Sequence, residues 1–226
     1  MADEGAVDIR LLDVDVAGRE GAANVVRLRT SRGSVDTRLH RPASGLGGAG
    51  VLWVFGAGGG LGGPAGGLYA RLADVLAPQG VTSLRVDYRL PNHLVECTLD
   101  VQVGAAYLEA LGVTRLVLVG HSFGGAVVIN AGANCDAVIG VVALSSQTYG
   151  ADAVGKLSPR SLLLLHGEAD EILSDACSRF LFERAGEPRE LRLYPGCRHG
   201  LDECRDAVDR DLLAWLRRTL NVSPSR

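Results

Sequence analysis

The segment RLVLVGHSFGG (115–125) contains a serine, Ser122, in the pattern Gly-x-Ser-x-Gly. An apolar run precedes this pattern and a helical run of small residues follows it. In that setting the pattern predicts a tight strand–turn–helix in which the serine has a strained backbone and Gly120 and Gly124 let the strand and helix approach. The hydroxyl would lie above the sheet at the positive end of the helix dipole, where a nucleophile is expected.

A serine hydroxyl becomes a nucleophile only with a base, and the base needs a carboxylate to orient it. The run LLLLHGEADE contains Asp170, with Glu168 and Glu171 as lesser candidates. The run LRLYPGCRHG contains His199, just ahead of the last helical pattern. Each alone is an ordinary loop residue, but both follow strand-like runs in the order serine, acid, histidine. This order predicts a triad of Ser122, Asp170 and His199.

The elements that must position these residues are nine strands and five helices. Runs rich in β-branched residues predict strands at 7–16, 24–29, 34–40, 51–55, 81–86, 115–119, 138–144, 161–165 and 190–194. Helical patterns lie at 68–77, 96–111, 123–133, 174–185 and 204–219. From residue 51 the two types alternate and several strands are apolar on both faces, which predicts a doubly wound, mostly parallel α/β sheet. The earlier strands, with TSRGSVDT as a hairpin turn, predict an antiparallel N-terminal edge.

These motifs resemble those of the α/β-hydrolase superfamily from about residue 30 to 219. GHSFGG resembles its nucleophile elbow, LLLLHGEAD its acid strand and loop, RHG its histidine loop, and RVDYR the segment that ends the strand after the oxyanion loop. The short lidless esterases similar to dienelactone hydrolases are the most similar members, although true dienelactone hydrolases have cysteine where this chain has Ser122. The resemblance implies an α/β-hydrolase fold without a cap domain. It also implies a serine hydrolase that cleaves small carboxylic esters, or related acyl compounds, through an acyl-enzyme.

The resemblance also assigns an oxyanion hole. In the family, the N–H after the serine, here that of Phe123, is joined by an N–H from the loop after the first central strand. That loop often reads His-Gly-x-Gly and here begins at Phe55, so Ala57 is the expected second donor and Gly58 the alternative. Phe55 in place of histidine removes a polar group that helps to fix the loop.

The same glycine-rich loop supports a second interpretation, a dinucleotide site. Gly58, Gly60 and Gly63 match Gly-x-Gly-x-x-Gly, and a later strand ends in Asp87, where a ribose-binding acid would lie. Against this, residues 64–67 separate the third glycine from the helix, so no helix N-terminus would meet a phosphate. Two other functions therefore stay open, a dinucleotide-binding oxidoreductase and a non-catalytic binder of a small ligand in the same pocket.

Further histidines and one tyrosine are weighed by position. His93 and Tyr149 follow strands at the same edge and are the expected substrate-binding residues, although such loop residues are usually only solvated. His121 is expected to point away from the triad and pack beneath the turn. The segment between the seventh and eighth strands is too short for a cap domain, so we expect an open site for small soluble esters.

Composition limits the partners. A chain of 226 residues that is 47% apolar can bury one core, so we expect a single domain, 1–226, with 221–226 as a frayed tail. With 23 basic and 26 acidic residues there is no basic stripe for nucleic acid, and no apolar run approaches the ~20 residues of a membrane span. The expected partner is a small acyl substrate, and the composition does not predict the oligomeric state.

The cysteines and the N-terminus predict the compartment. Five cysteines, an odd number, show neither a CxxC pair nor a metal-ligand spacing, so we expect reduced, mostly buried thiols and no metal or cofactor. The acidic start MADEGAVDIR lacks the layout of a secretion signal, and we expect a cytoplasmic protein. The cysteines are Cys97, Cys135, Cys177, Cys197 and Cys204.

Overall fold

The computed structural model describes residues 8–43, 45 and 47–223. The predicted tail at 224–226, residue 7 of the first predicted strand and the N-terminal segment 1–6 lie outside the described residues. Nine strands form one sheet: β1 (Leu11–Glu20), β2 (Ala23–Thr30), β3 (Gly33–His40), β4 (Ala49–Val54), β5 (Val81–Val86), β6 (Arg115–His121), β7 (Val138–Leu144), β8 (Ser161–Gly167) and β9 (Arg189–Tyr194). The helices are α1 (Pro64–Leu76), α2 (Leu94–Ala110), α3 (Phe123–Ala133), α4 (Ala176–Arg184) and α5 (Arg205–Leu220).

The strand order is β1-β2-β3-β5-β4-β6-β7-β8-β9. Strands β1, β2 and β3 pair antiparallel with their neighbours, β3 pairs antiparallel with β5, and all later pairs are parallel. The predicted architecture, a mostly parallel sheet with an antiparallel N-terminal edge, is confirmed.

The first strand is the least accurately predicted. It runs to Glu20, which pairs with Ala23 across a turn at Gly21, whereas the prediction ends it at residue 16. The physical reason is that β1 is an edge strand whose last six residues are exposed. Solvated residues carry no apolar alternation, so the pairing of Gly18 to Glu20 leaves no pattern in the sequence.

Two apolar layers form the core, one on each face of the sheet. Leu52 of β4 belongs to the layer with α2 and α3, and the next residue, Trp53, belongs to the layer with α1 and α5. Both side chains are fully buried. The central strands are therefore apolar on both faces because helices cover both.

The carboxyl ends of β4, β6, β8 and β9 lie at one edge of this parallel sheet, and the loops that follow them carry the candidate residues. In α1, Ala65, Gly66 and Gly67 have left-handed φ angles of 50°, 62° and 84°, so regular helix spans 68–76. The predicted interruption between the glycine loop and the helix is present. The segment between β7 and β8 contains only a 3-10 turn, Asp152–Lys156, and no cap domain.

None of the helices described has the length and apolar character needed to cross a membrane.

Candidate active site

Ser122 sits in the turn between β6 and α3 with φ 57° and ψ −120°, a conformation that non-glycine residues rarely adopt. The glycines on either side of Ser122 allow this turn to pack closely against neighbouring main chain. A Cβ on Gly120 would overlap the carbonyl oxygen of Gly124, and a Cβ on Gly124 would overlap the carbonyl oxygen of Phe55. The backbone N–H of Ser122 donates to the Leu144 carbonyl at 2.8 Å, which fixes the turn to β7. The predicted strained strand–turn–helix is thus present.

Asp170 and His199, which are 29 residues apart in sequence, form a hydrogen bond between His199 Nδ1 and Asp170 Oδ2 at 2.8 Å. The Asp170 side chain is 1% exposed, and its Oδ1 accepts the N–H groups of Ile172 (2.9 Å) and Leu173 (2.8 Å). Burial opposes ionisation of this carboxyl, but the Leu173 N–H and the bond to His199 outweigh burial and hold its pKa below the usual value. The ionised carboxylate therefore keeps the proton of His199 on Nδ1 and leaves Nε2 free to accept one.

The lesser acid candidates have different contacts. Glu171 Oε2 accepts the backbone N–H of His199 at 3.2 Å and does not bond its ring. Glu168 lies 3.7 Å from Arg179 in a partly exposed ion pair. Of the three acids predicted, only Asp170 is bonded to the imidazole. His166 also lies 3.1 Å from the Asp170 carboxylate and contributes to the burial of Asp170.

His121, the residue before the serine, contacts the loop of His199. Its Nε2 lies 2.9 Å from the His199 carbonyl oxygen, and the two rings are 4.8 Å apart. The expectation that His121 points away from the triad is wrong, because its ring packs between those of Phe55 and His199. This contact bridges 78 residues of sequence and leaves no local signal.

The protonation state of His121 follows from its burial. Desolvation is the largest effect on the ring and lowers its pKa to about 4, so the imidazole is neutral at neutral pH. Because a carbonyl oxygen only accepts, Nε2 carries the proton and donates to His199. Its Nδ1 is buried and has no hydrogen-bond partner among the residues described.

These contacts place His199 beside the turn that carries Ser122. Among the described residues the Ser122 hydroxyl makes no hydrogen bond, and Ser122 and His199 are therefore not bonded to each other in this structure. Catalytic hydrogen bonds often tighten only when a substrate is bound.

The glycine loop passes directly beside the serine: a Cβ placed on Gly56 would lie 3.6 Å from Ser122 Cβ. The N–H of Gly59 donates to the Gly56 carbonyl at 3.0 Å, and the N–H of Gly60 donates to Asp87 Oδ1 at 2.6 Å. In this part of the described chain the N–H groups of Ala57 and Gly58 have no hydrogen-bond partner. These are the two residues that the sequence analysis assigns as donors.

Phe123 supplies the other assigned N–H. It is the first residue of α3, and the N–H groups of a first helical turn have no intrahelical partner. A carbonyl oxygen placed between this N–H and the loop N–H would be polarised by both, and the end of α3 adds a positive dipole there.

The loop is held by groups other than the histidine expected at position 55. The Tyr88 hydroxyl donates to the Phe55 carbonyl at 3.2 Å, and Arg85 donates to the Leu61 carbonyl at 3.2 Å. Together with the bond from Gly60 to Asp87, these contacts fix both ends of the glycine loop. One oxygen of the Asp87 carboxylate is therefore directed into the glycine loop.

A groove of about 470 Å³ opens beside the turn. Both residues predicted to bind substrate, His93 and Tyr149, line it, and Tyr149 is 81% exposed at its rim. The rest of the lining is apolar or neutral, and no charged side chain contributes to it among the described residues: Asn92, Leu94, Val95, Phe123 and Gln147.

The prediction that the cysteines are reduced thiols is wrong for one pair. Cys197 and Cys204 form a disulfide, and Cys97, Cys135 and Cys177 are free thiols. The loop between the pair folds back on itself and brings the two Cα atoms to 5.7 Å. A count of five cysteines cannot reveal such a pairing, which depends on the path of the loop.

Within the same described residues, no group of three or more His, Cys, Asp or Glu side chains could hold a metal ion.

Sequence comparison finds no match among protein-family models and none among curated proteins. Comparison of structures finds many. The dienelactone hydrolase from Anabaena variabilis aligns with a TM-score of 0.76 and 18% identity over 88% of this chain and 98% of its own. The esterase domain of a Rhodothermus marinus protein aligns with a TM-score of 0.72 and 22% identity over 88% of this chain and 99% of its own. An α/β serine hydrolase without a lid from Xanthomonas campestris has a TM-score of 0.69 and 18% identity, covering 91% and 99%.

These likenesses show the fold. The chain has the α/β-hydrolase fold without a cap domain, and the expected structural resemblance is confirmed.

Stability should depend on pH through His121. Because its folded-state pKa of about 4 is below the ordinary histidine pKa of 6.5, the unfolded state binds more protons between these pH values. The stabilisation of the folded state by neutral His121 is therefore complete above the unfolded-state pKa, and it is lost as the pH falls towards the folded-state pKa. We expect the free energy of unfolding of the wild type to decrease, relative to that of a His121→Gln variant, by about 2 kcal/mol between pH 7 and pH 4.5.

Urea unfolding at a series of pH values measures this difference. The matched control, His93→Gln, removes an exposed imidazole and should retain the wild-type curve. Parallel curves for wild type and His121→Gln would show that His121 is not buried in the neutral form.

Proposed function

We propose that this protein is a serine hydrolase that cleaves small carboxylic esters through an acyl-enzyme intermediate. The observation that supports this most strongly is the 2.8 Å bond between His199 and Asp170, held beside the strained turn that presents Ser122. Ser122, His199 and Asp170 lie in three loops at one edge of the sheet, and this placement supports their roles as nucleophile, base and orienting acid in acyl transfer.

The first half of the reaction forms the acyl-enzyme. His199 Nε2 takes the proton of the Ser122 hydroxyl as Oγ attacks the ester carbonyl carbon. The oxygen that becomes negative accepts hydrogen bonds from the N–H groups of Phe123 and Ala57, with Gly58 as the alternative donor. Asp170 stays ionised and stabilises the imidazolium. The intermediate then collapses, and His199 gives its proton to the departing alcohol.

The second half repeats these steps with water. Water enters the position that the alcohol has left and loses a proton to His199 as it attacks the acyl carbon. The same two N–H groups stabilise the second oxyanion, and Ser122 leaves with the proton from His199. His121 takes no proton in this scheme, since its Nε2–H is bonded to the His199 carbonyl and its Nδ1 is buried.

The groove supports small, uncharged groups as the substrate. Phe123 supplies the oxyanion N–H and also lines the groove. A carbonyl bound at that N–H would therefore direct one of its substituents along the groove. The rings of His93 and Tyr149 and the aliphatic chains of Leu94 and Val95 offer apolar contact. A carboxylate would find no cation among the described residues that line the groove and would lose hydration without compensation.

Ser122→Ala should abolish hydrolysis. Removal of the nucleophile is expected to lower kcat for p-nitrophenyl acetate by about 10⁴-fold or more, with the fold unchanged by circular dichroism. A fluorophosphonate probe should label the wild type at Ser122, located by peptide mass spectrometry, and should not label the variant.

The matched control is Ser145→Ala, which removes a buried hydroxyl just after the neighbouring strand β7; this hydroxyl has no hydrogen-bond partner in the described part of the chain. It should keep both activity and labelling. Full activity of folded Ser122→Ala would refute the mechanism, and a wild type that is neither labelled nor active would favour the non-catalytic binder. Retention on a nicotinamide-cofactor resin would favour the oxidoreductase.

Asp87→Ala should impair the oxyanion loop. Loss of the carboxylate that accepts the Gly60 N–H frees the loop to move, and we expect kcat to fall about 10-fold with a smaller effect on KM. Asp87→Asn keeps an acceptor oxygen and should retain most of the activity.

The control for Asp87 is Asp36→Ala, which removes an exposed carboxylate paired with Arg27 at the antiparallel edge. Steady-state kinetics of Asp87→Ala, Asp87→Asn and Asp36→Ala measures these changes in kcat and KM. Wild-type kcat in a folded Asp87→Ala protein would show that Asp87 does not position the loop.

A charge placed in the groove should change substrate preference. The wild type is expected to hydrolyse p-nitrophenyl acetate and butyrate faster than the palmitate and faster than the negatively charged hemisuccinate. Val95→Arg should improve kcat/KM for the hemisuccinate relative to butyrate by about 5-fold, the size of an exposed ion pair.

Val75→Arg places the same charge on another exposed valine, outside the groove, and should leave the ratio unchanged. Turnover of long-chain esters alone would contradict the small open site, and an equal shift in both variants would contradict the assignment of the groove.

A further inference from the structure

The loop that carries the proposed base is closed into a ring. We use the term histidine loop for residues 197–204, which begin and end at the two cysteines of the disulfide. Cys197 lies shortly after β9 and is fully buried, and Cys204 directly precedes α5 and is partly buried. The disulfide therefore joins the two elements from which the loop emerges, and His199 is the third residue of the ring.

The main chain around His199 is held by bonds to fixed neighbours. Its N–H donates to Glu171 at 3.2 Å, and its carbonyl accepts from His121 at 2.9 Å. The next carbonyl, that of Gly200, accepts the Ala65 N–H at 2.7 Å. These partners belong to three other segments of the protein. A small shift of the loop would break the bonds to all three and move the imidazole away from the serine turn.

The loop also contains a conformation that its surroundings must impose. Leu201 has φ 60° and is fully buried. A leucine adopts this left-handed conformation only where the rest of the structure requires it. The cross-link supplies such a requirement, because it fixes the distance between the loop ends while Leu201 turns the chain back between them.

We propose that the Cys197–Cys204 disulfide positions His199 for acid–base chemistry, so that the full rate of hydrolysis depends on this pair being oxidised. The proposal rests on the proposed function. The cysteines touch neither the substrate groove nor the reacting atoms, so they act only through the placement of the loop. With the disulfide broken, the fold can persist through its two apolar layers while the imidazole samples positions from which it cannot reach the Ser122 hydroxyl.

The chemistry of the reduction is ordinary thiol–disulfide exchange with a dithiol. One thiolate of dithiothreitol attacks Sγ of Cys204, the less buried residue of the pair, and the Sγ–Sγ bond breaks to release Cys197 as a thiolate that takes up a proton. The second thiol of the reagent then attacks the mixed disulfide, releases the Cys204 thiol and closes the reagent into its cyclic disulfide. Two electrons and two protons pass from the reagent to the protein.

The first measurement tests the bond itself. Titration of thiols in the denatured, unreduced protein should find three, those of Cys97, Cys135 and Cys177, and five after reduction. Five thiols without reduction, in protein kept from any reductant, would overturn the proposal. This count does not depend on any enzymatic activity.

The second measurement tests the positioning role. We expect dithiothreitol to lower kcat for p-nitrophenyl acetate about 10-fold and to slow fluorophosphonate labelling of Ser122 by a similar factor, with KM little changed. Removal of the reagent and treatment with oxidised glutathione should restore both. Cys204→Ser should show the low kcat from the start and should not respond to dithiothreitol.

Cys135→Ser is the matched control, because it removes a free, partly buried thiol that follows α3. It should retain the wild-type kcat and the wild-type response to reduction. Circular dichroism and the thermal midpoint separate a displaced loop from an unfolded protein. If Cys204→Ser fails to fold, the reduced and reoxidised wild type still decides the question.

The outcomes separate this proposal from the proposed function. Oxidised protein that is neither labelled at Ser122 nor active means that the proposed function has failed. Oxidised protein that is labelled and active, and keeps its kcat and labelling rate after reduction to five thiols, means that the function holds and the positioning role is wrong. A rise in KM with unchanged kcat would also overturn the proposal, because it would place the effect of the disulfide on substrate binding.

Discussion

The close approach of main chain to main chain at the Ser122 turn is the constraint on which the rest of the site depends. Gly120 faces Gly124 across the turn, and Gly124 in turn faces the Phe55 carbonyl at the start of the glycine loop. No side chain fits at either contact. One consequence is that the serine turn and the loop with the free N–H groups are held against each other by packing, before any substrate is present.

A second set of contacts gives two neighbouring histidines different surroundings. His121 is buried, with its pKa lowered to about 4 by desolvation, and serves as a fixed donor to the His199 backbone. His199 is partly exposed and bonded through Nδ1 to the buried Asp170. Burial keeps the His121 ring neutral, and the Asp170 carboxylate orients the His199 ring. One imidazole therefore holds the loop, and the edge of its neighbour that faces away from Asp170 stays unbonded among the described residues.

Local pattern and chain order could predict much of this structure, and long-range side-chain contacts could not. The sequence predicted all nine strands and the turn at Ser122, because apolar periodicity and glycine spacing report local structure. His93 and Tyr149 were placed near the site by a rule about strand ends, and both line the groove. The contact of His121 with His199 and the pairing of Cys197 with Cys204 depend on the path of the chain between distant residues. Neither leaves a periodic signal, and both predictions were wrong.

The glycine loop shows why a motif of backbone donors is ambiguous until its hydrogen bonds are counted. Glycines near a phosphate and glycines near an oxyanion serve the same purpose, which is to let an anion reach bare N–H groups. What distinguishes the two is which N–H groups are already paired. Here those of Gly59 and Gly60 bond within the protein, the second of them to one oxygen of the Asp87 carboxylate. The adjacent N–H groups of Ala57 and Gly58, beside Ser122, have no partner among the described residues, and a pair of N–H groups beside a serine turn suits a single oxygen atom.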